Sequence, residues 1–295
     1  MTYDQSQTVI SRRSLPTEVV KIRRWGRRLG AVCAIVILAA IIAVFATSKN
    51  VDWPYIAVHL LNFDILSGLI VTIELTALAM LLGVILGTVL AIMRLSENPV
   101  LRIVAGGYVW FVRSIPQLVQ LLFWYNVALF VPRLGVGGWA VETNAVVTTM
   151  VAAVLGLGLN EAAYMSEIVR AGIMAVDPGQ RDAAKAAGYH PGQILVHVVL
   201  PQAMRLIIPP TSNELIGMLK ATSLVSVIGA SDLLTRAQSI SSSSFKIIEM
   251  LFVASFWYIV ATTLASFAQH YLEQRYLWRS RQSRSAMLSS GGEGK

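Results

Sequence analysis

This sequence predicts an all-α integral membrane protein with six transmembrane helices, on three observations. Hydrophobic residues make up 55% of the 295-residue chain and charged residues only 14%, with a mean hydropathy of +0.63; a soluble domain carries about 25% charged residues. The apolar residues gather into six runs, at 30–47, 66–93, 103–131, 144–170, 205–229 and 247–272. With the N-terminus placed in the cytoplasm, the inner and terminal segments, counting Arg170 and Arg205 at the run edges, hold 18 lysines and arginines and the outer loops 4, the bias that sets orientation in a membrane. The formal charge of +8 therefore reads as topology, not as nucleic-acid binding.

Taken in order, residues 1–29 form a basic cytoplasmic segment suited to anionic lipid. About thirty residues precede the first apolar run and no clear small-residue cleavage site follows it, so that run is expected to be a retained span rather than a signal peptide. It is just long enough to cross a bilayer core of about 30 Å. Residues 48–65 read as an outer loop with Trp53, Pro54 and Tyr55 at the interface. In the second run, Gly83 and Gly87 make a small face for close helix contact. The third must kink or break at Pro116, which lacks an N–H. The fifth carries Pro209-Pro210, expected to break it as well, and a Ser-rich loop over 231–246 follows. The tail from 277 to 295 is basic, then Ser/Gly-rich, and is expected to be disordered. No strand pattern and no repeat of fixed period is visible. Cys33 is the only cysteine and the four histidines are scattered, so neither an internal disulfide nor a metal site is expected.

The largest polar island among the apolar runs is Asp177–Pro201. Asp177 can cap a helix, Pro178 fits its first position, and Gly188 suits a left-handed exit. Ala183, Ala184, Ala186 and Ala187 favour helix with almost no side-chain bulk, so another surface can come close. His190-Pro191 breaks the chain. A second short segment then places Ile194, Leu195, Val198 and Val199 on one side, with Leu200-Pro201 as its end.

From Asp182 the pattern is acid-Ala-Ala, three residues, Gly188, nine residues, Val198, one residue, Leu200-Pro201. It resembles the EAA loop of ABC-importer permeases at every spacing, with Asp182 for Glu and Val198 for Ile. R-S-I-P-Q-L-V-Q at 113–120, E-A-A-Y-M-S-E-I-V-R-A-G-I at 161–173, N-E-L-I-G-M-L-K-A-T-S-L at 213–224 and Y-L-E-Q-R-Y at 271–276 narrow the resemblance to permeases of polar amino-acid importers. It implies a five-helix permease core over 66–276, a coupling loop at 177–201 and, as a departure from the family, an added N-terminal span with its outer loop at 30–65. It also implies a docking segment for an ATPase, here Gln180, Asp182, Ala183, Ala184, Gly188, Leu200 and Pro201. The implied partners are two ABC ATPase subunits, a second permease subunit and an extracytoplasmic solute-binding protein, in the cytoplasmic membrane of a prokaryote. No G-x-x-x-x-G-K-[ST] phosphate loop is present. The chain is therefore expected to be no enzyme and to bind no cofactor, with ATP and Mg on the partner ATPase.

Polar and ionisable residues within apolar runs are costly and usually face a water path or a partner. Glu74, Arg113, Gln117, Asn160, Glu161, Asn213, Glu214, Lys220, Thr222 and Ser223 are the candidates for a solute pathway, lined by the third to fifth runs. Structural pairing and helix–helix hydrogen bonds compete with that role at each position. Opposed charges along a path suit a zwitterion such as an amino acid. Two alternatives stand beside this reading: a gradient-driven transporter or channel working alone, and an ABC permease for another solute such as an opine, a polyamine or a sulfur compound.

Overall fold

The computed structural model describes residues 25–135 and 139–290; most of the basic N-terminal segment and the last five residues lie outside them. By internal contacts the chain forms two units, Met1–Val51 and Asp52–Lys295. In the first, α1 (Trp25–Ala46) is a single helix of 22 residues, about 33 Å long, and its described side chains are almost all exposed.

The second unit is a helical bundle. Its elements are α2 (Trp53–His59), α3 (Phe63–Leu95), α4 (Pro99–Ser114), α5 (Gln117–Tyr125), α6 (Thr143–Val146), α7 (Thr149–Met174), α8 (Pro178–Ala186), α9 (Pro191–Gln193), α10 (Leu200–Ala221), α11 (Leu233–Ser244) and α12 (Ile247–Ser290). Among the described residues, three helical stretches can cross a membrane by length and composition: α3, the continuous Pro191–Ile228 and Ile247–Gln274. The other three runs are interrupted or charged. Ile115-Pro116 separates α4 from α5, α7 carries Glu161, Glu167 and Arg170, and in α1 the described residues Leu29–Ile41 form a shorter apolar stretch.

The core is built on α3 against α7. Gly83 and Gly87 sit on that seam, and a Cβ on either would meet Glu161 Cγ or Met165 Cβ at 2.5 Å, so the small face expected from the sequence is the contact face. One apolar cluster joins Leu75, Ala79, Leu121, Leu157, Met218 and Val225. A second, at the other end of α7, joins Met165, Val169, Ile173, Val176, Ala184, Ile194 and Ala203.

Several expectations change. Residues 52–59 are not loop: Asp52 caps α2 by accepting from the Tyr55 N–H at 3.1 Å. They belong with the larger unit, through Trp257 Nε1–H donating to the Leu60 carbonyl at 2.8 Å and the Trp53–Phe252 ring contact. Residues 233–244 are helix α11 rather than a Ser-rich loop. Asp232 accepts from the Leu234 and Thr235 N–H groups, and the serine hydroxyls turn back onto carbonyls of their own helix. A two-residue antiparallel ladder pairs β1 (Arg133–Leu134) with β2 (Val141–Glu142); it is too short for an alternation to register in sequence. Pro209-Pro210 does not break α10, where the Thr211 and Ser212 hydroxyls bond back to Ile207 and Ile208. Leu200-Pro201 starts α10 rather than ending a segment, because a π-helical stretch at Ile194–Val199 runs straight into it and proline is tolerated in a first turn. The tail expected to be disordered from 277 is helical through Ser290.

Candidate functional site

Two regions gather the candidate residues. The first is α8. Asp177 accepts from the Gly179 N–H at 2.8 Å and Pro178 opens the helix. At the other end Gly188 N–H reaches the Lys185 carbonyl and Tyr189 N–H the Ala184 carbonyl, at 2.9 and 3.1 Å. That is the double hydrogen bond of a left-handed helix exit, and Gly188 has φ +83°. The local grammar of the sequence is thus realised in full. Ala184 points inward and is buried with Ile173 and Val176. Gln180, Asp182, Ala183, Gly188, Leu200 and Pro201 are exposed, and Asp182 lies 3.6 Å from Lys185.

The second region is a cavity of about 440 Å³ between α4, α5, α7 and α10. It brings together Arg113, Gln117, Asn160, Glu161 and Glu214. The break at Ile115-Pro116 opens one wall. The freed carbonyls there are held by the Gln120 side chain, whose amide donates to Val112 and Ile115 at 2.7 and 2.9 Å. Glu161 is 5% exposed, and its Oε1 is enclosed with no hydrogen-bond partner among the described residues. A buried carboxylate oxygen without a donor is costly, which marks Glu161 as the unsatisfied polar group among the residues that line this cavity. Arg113 faces it from the other side, with its guanidinium 5.0 Å from the Tyr164 ring centre and 3.8 Å from Glu167. Glu167 also pairs with Arg94 at 2.5 Å and Arg170 at 2.9 Å.

Five candidates lie elsewhere. Glu74 and Lys220 are exposed outside the cavity. Asn213 accepts from Gln269 at 2.9 Å. Thr222 is buried and donates to the Leu219 carbonyl, and Ser223 donates to Lys220. The Thr222 and Ser223 bonds are local to their own stretch of helix, and the Asn213 bond joins α10 to α12. Tyr164 and Gly217 line the cavity and were not singled out in the sequence; the i, i+3 spacing of Glu214 and Gly217, and of Glu161 and Tyr164, is the signal that finds them.

Residues 79–278 match the family described as binding-protein-dependent transport system inner membrane component. The arginine transport system permease protein ArgU of Corynebacterium glutamicum is 42% identical over 263 residues, covering 88% of this chain and 83% of that protein. The glutamate/aspartate import permease protein GltK of Escherichia coli O6:H1 is 35% identical over 226 residues, covering 76% and 97%. A crystal structure of an amino acid ABC transporter with histidines superimposes with a TM-score of 0.67 at 35% identity, over 76% of this chain and 99% of that one. The helical bundle, the EAA-like segment and these likenesses agree: the chain belongs to the binding-protein-dependent transport system inner membrane components, as the multi-pass permease subunit of an ABC importer whose ATP hydrolysis sits on a separate subunit.

Proposed function

We propose that this permease carries polar amino acids inward through the cavity between α4, α5, α7 and α10. The observation that carries the reading is the meeting of Arg113 with Glu161 and Glu214 around one space. A zwitterion offers a carboxylate to the guanidinium, which binds it in a bidentate fork, and an ammonium to the carboxylates. The relatives named for arginine and for glutamate/aspartate support the same solute class. A polyamine has no carboxylate to offer the Arg113 guanidinium.

Six spans with both termini in the cytoplasm fit the lysine and arginine distribution. In this arrangement α8 faces the cytoplasm and seats in one of two ATPase subunits, which hold ATP and Mg. Two permease subunits pair, and an extracytoplasmic binding protein delivers the solute. When the ATPases close, α8 moves with them and shifts α7 and α10, alternating access to the cavity.

The test is uptake of labelled amino acids into proteoliposomes holding the assembled complex. Arg113→Gln and Glu161→Gln are expected to lower uptake at least about tenfold, as losses of about 1.5–3 kcal/mol at a contact to a charged group. Wild-type uptake in both variants contradicts the reading.

A further inference from the structure

A helix ends with four carbonyls that have no N–H partner of its own. At the inner end of α7 one of these, the Ile173 carbonyl, accepts from Nη2 of Arg181 at 2.6 Å. Arg181 sits on α8, the next helix in the chain. Its side chain reaches back across the turn and caps the helix the chain has just left. The guanidinium is partly buried, with Nε enclosed and without a hydrogen-bond partner among the described residues. A positive charge at a helix C-terminus is favoured by the dipole, and a charged donor makes the stronger bond. Beneath it, Ala184 of α8 is buried with Ile173 and Val176.

From that point α7 runs outward without a break. It passes Glu167, then Tyr164, Glu161 and Asn160 on the cavity wall. Arg181 lines neither the cavity nor the exposed side of α8 that carries Gln180, Asp182 and Ala183. It is the pin between them. We propose that Arg181 is a positioning residue for transport: it fastens α8 to α7, so that a displacement of α8 moves the cavity wall as part of the same body. This rests on the reading of α8 as the ATPase-facing segment. The composition of the contact has a direct consequence. Lysine keeps the charge and a donor at similar reach, whereas alanine removes both.

The experiment uses the full complex of permease, ATPase and binding protein in proteoliposomes, and reads solute moved per ATP hydrolysed. Arg181→Ala is expected to hydrolyse ATP near the wild-type rate while moving about fivefold or more less solute per ATP, the lower range of a coupling change. Arg181→Lys is expected to recover most of the loss. An unchanged ratio in Arg181→Ala overturns the proposal. If that variant does not assemble, Arg181→Gln decides: a lowered ratio supports the pin and a wild-type ratio overturns it. Failure of the wild-type chain to hold the ATPase at all strikes the underlying reading of α8 instead, so the two failures are distinguishable.

Discussion

Gly83 of α3 faces Glu161 of α7 so closely that a Cβ on the glycine would lie 2.5 Å from the Glu161 Cγ. The absence of a side chain on one helix therefore sets where a carboxyl group sits on the other. Gly83→Val forces the helices apart or pushes the carboxyl out of the cavity, at about 1–3 kcal/mol for overpacking. The expected outcome is a protein that inserts in the membrane at normal levels and loses most solute uptake. Wild-type uptake would show that the seam has slack.

Glu167 holds three arginines, Arg94 at 2.5 Å, Arg170 at 2.9 Å and Arg113 at 3.8 Å. They come from three different helices, so one carboxylate ties the ends of α3, α4 and α7 together. Glu167→Gln leaves three like charges without their shared partner. Thermal unfolding of the purified protein is expected to fall by several degrees, a loss of about 1–3 kcal/mol for hydrogen bonds to a charged group. An unchanged melting curve contradicts this role.

Outside the membrane, Asp52 links α2 to the start of α12. Its carboxylate accepts from the Tyr55 N–H and, at 3.1 Å, from Lys246 Nζ, and its own N–H donates to Glu249 at 3.1 Å. The Tyr55 bond first, and Lys246 next, hold the Asp52 carboxyl below its ordinary value of 3.8. A lowered folded-state pKa contributes stability above the unfolded value and loses it as pH falls through the folded value. Amide exchange of α2 is therefore expected to be flat from pH 8 to about pH 5 and to rise only in acid below about pH 4. In Asp52→Asn that acid rise should shrink; the same rise in both would assign it to another group.

Phe245 ends α11 in the left-handed region, at φ +57°, with its ring 87% exposed. Its N–H bonds the Ser241 carbonyl at 2.8 Å, the position where glycine usually sits. Phe245→Gly removes steric strain and little burial, so unfolding should shift upward by about 1 kcal/mol. A lower melting temperature would mean that the ring stabilises the fold through contacts outside this chain.

What was legible in the sequence was what local chemistry decides. Asp177, Pro178 and Gly188 carry the start and stop of α8 in their own conformational preferences, and Gly83 and Gly87 announce a close seam. What was not legible depends on helix rotation and partners. On α10 the cavity is lined by Glu214, Gly217, Met218 and Ala221, one stripe at helical spacing. Asn213 and Lys220 are their immediate neighbours, yet a step of one residue is about 100° of turn, which takes them off that stripe. Glu74 falls in the same way off the α3 face made by Leu75, Ala79 and Gly83. The serines of 239–244 read as loop because serine competes for backbone hydrogen bonds; the Asp232 cap and the Leu233 contact with α3, where its N–H meets Thr72 Oγ1 at 3.1 Å, settle them as helix.

The most direct test of the mechanical account is ATP-driven uptake by the reconstituted complex carrying Gly188→Trp. Gly188 is exposed at φ +83°, so a bulky L-residue there strains the helix exit and alters the surface that the proposal assigns to the ATPase, while the cavity is untouched. The account predicts that the wild-type complex takes up solute only with ATP and its ATPase, and that Gly188→Trp inserts normally but loses ATP-driven uptake. Wild-type uptake by Gly188→Trp, or solute uptake by the permease alone down a gradient, would contradict it.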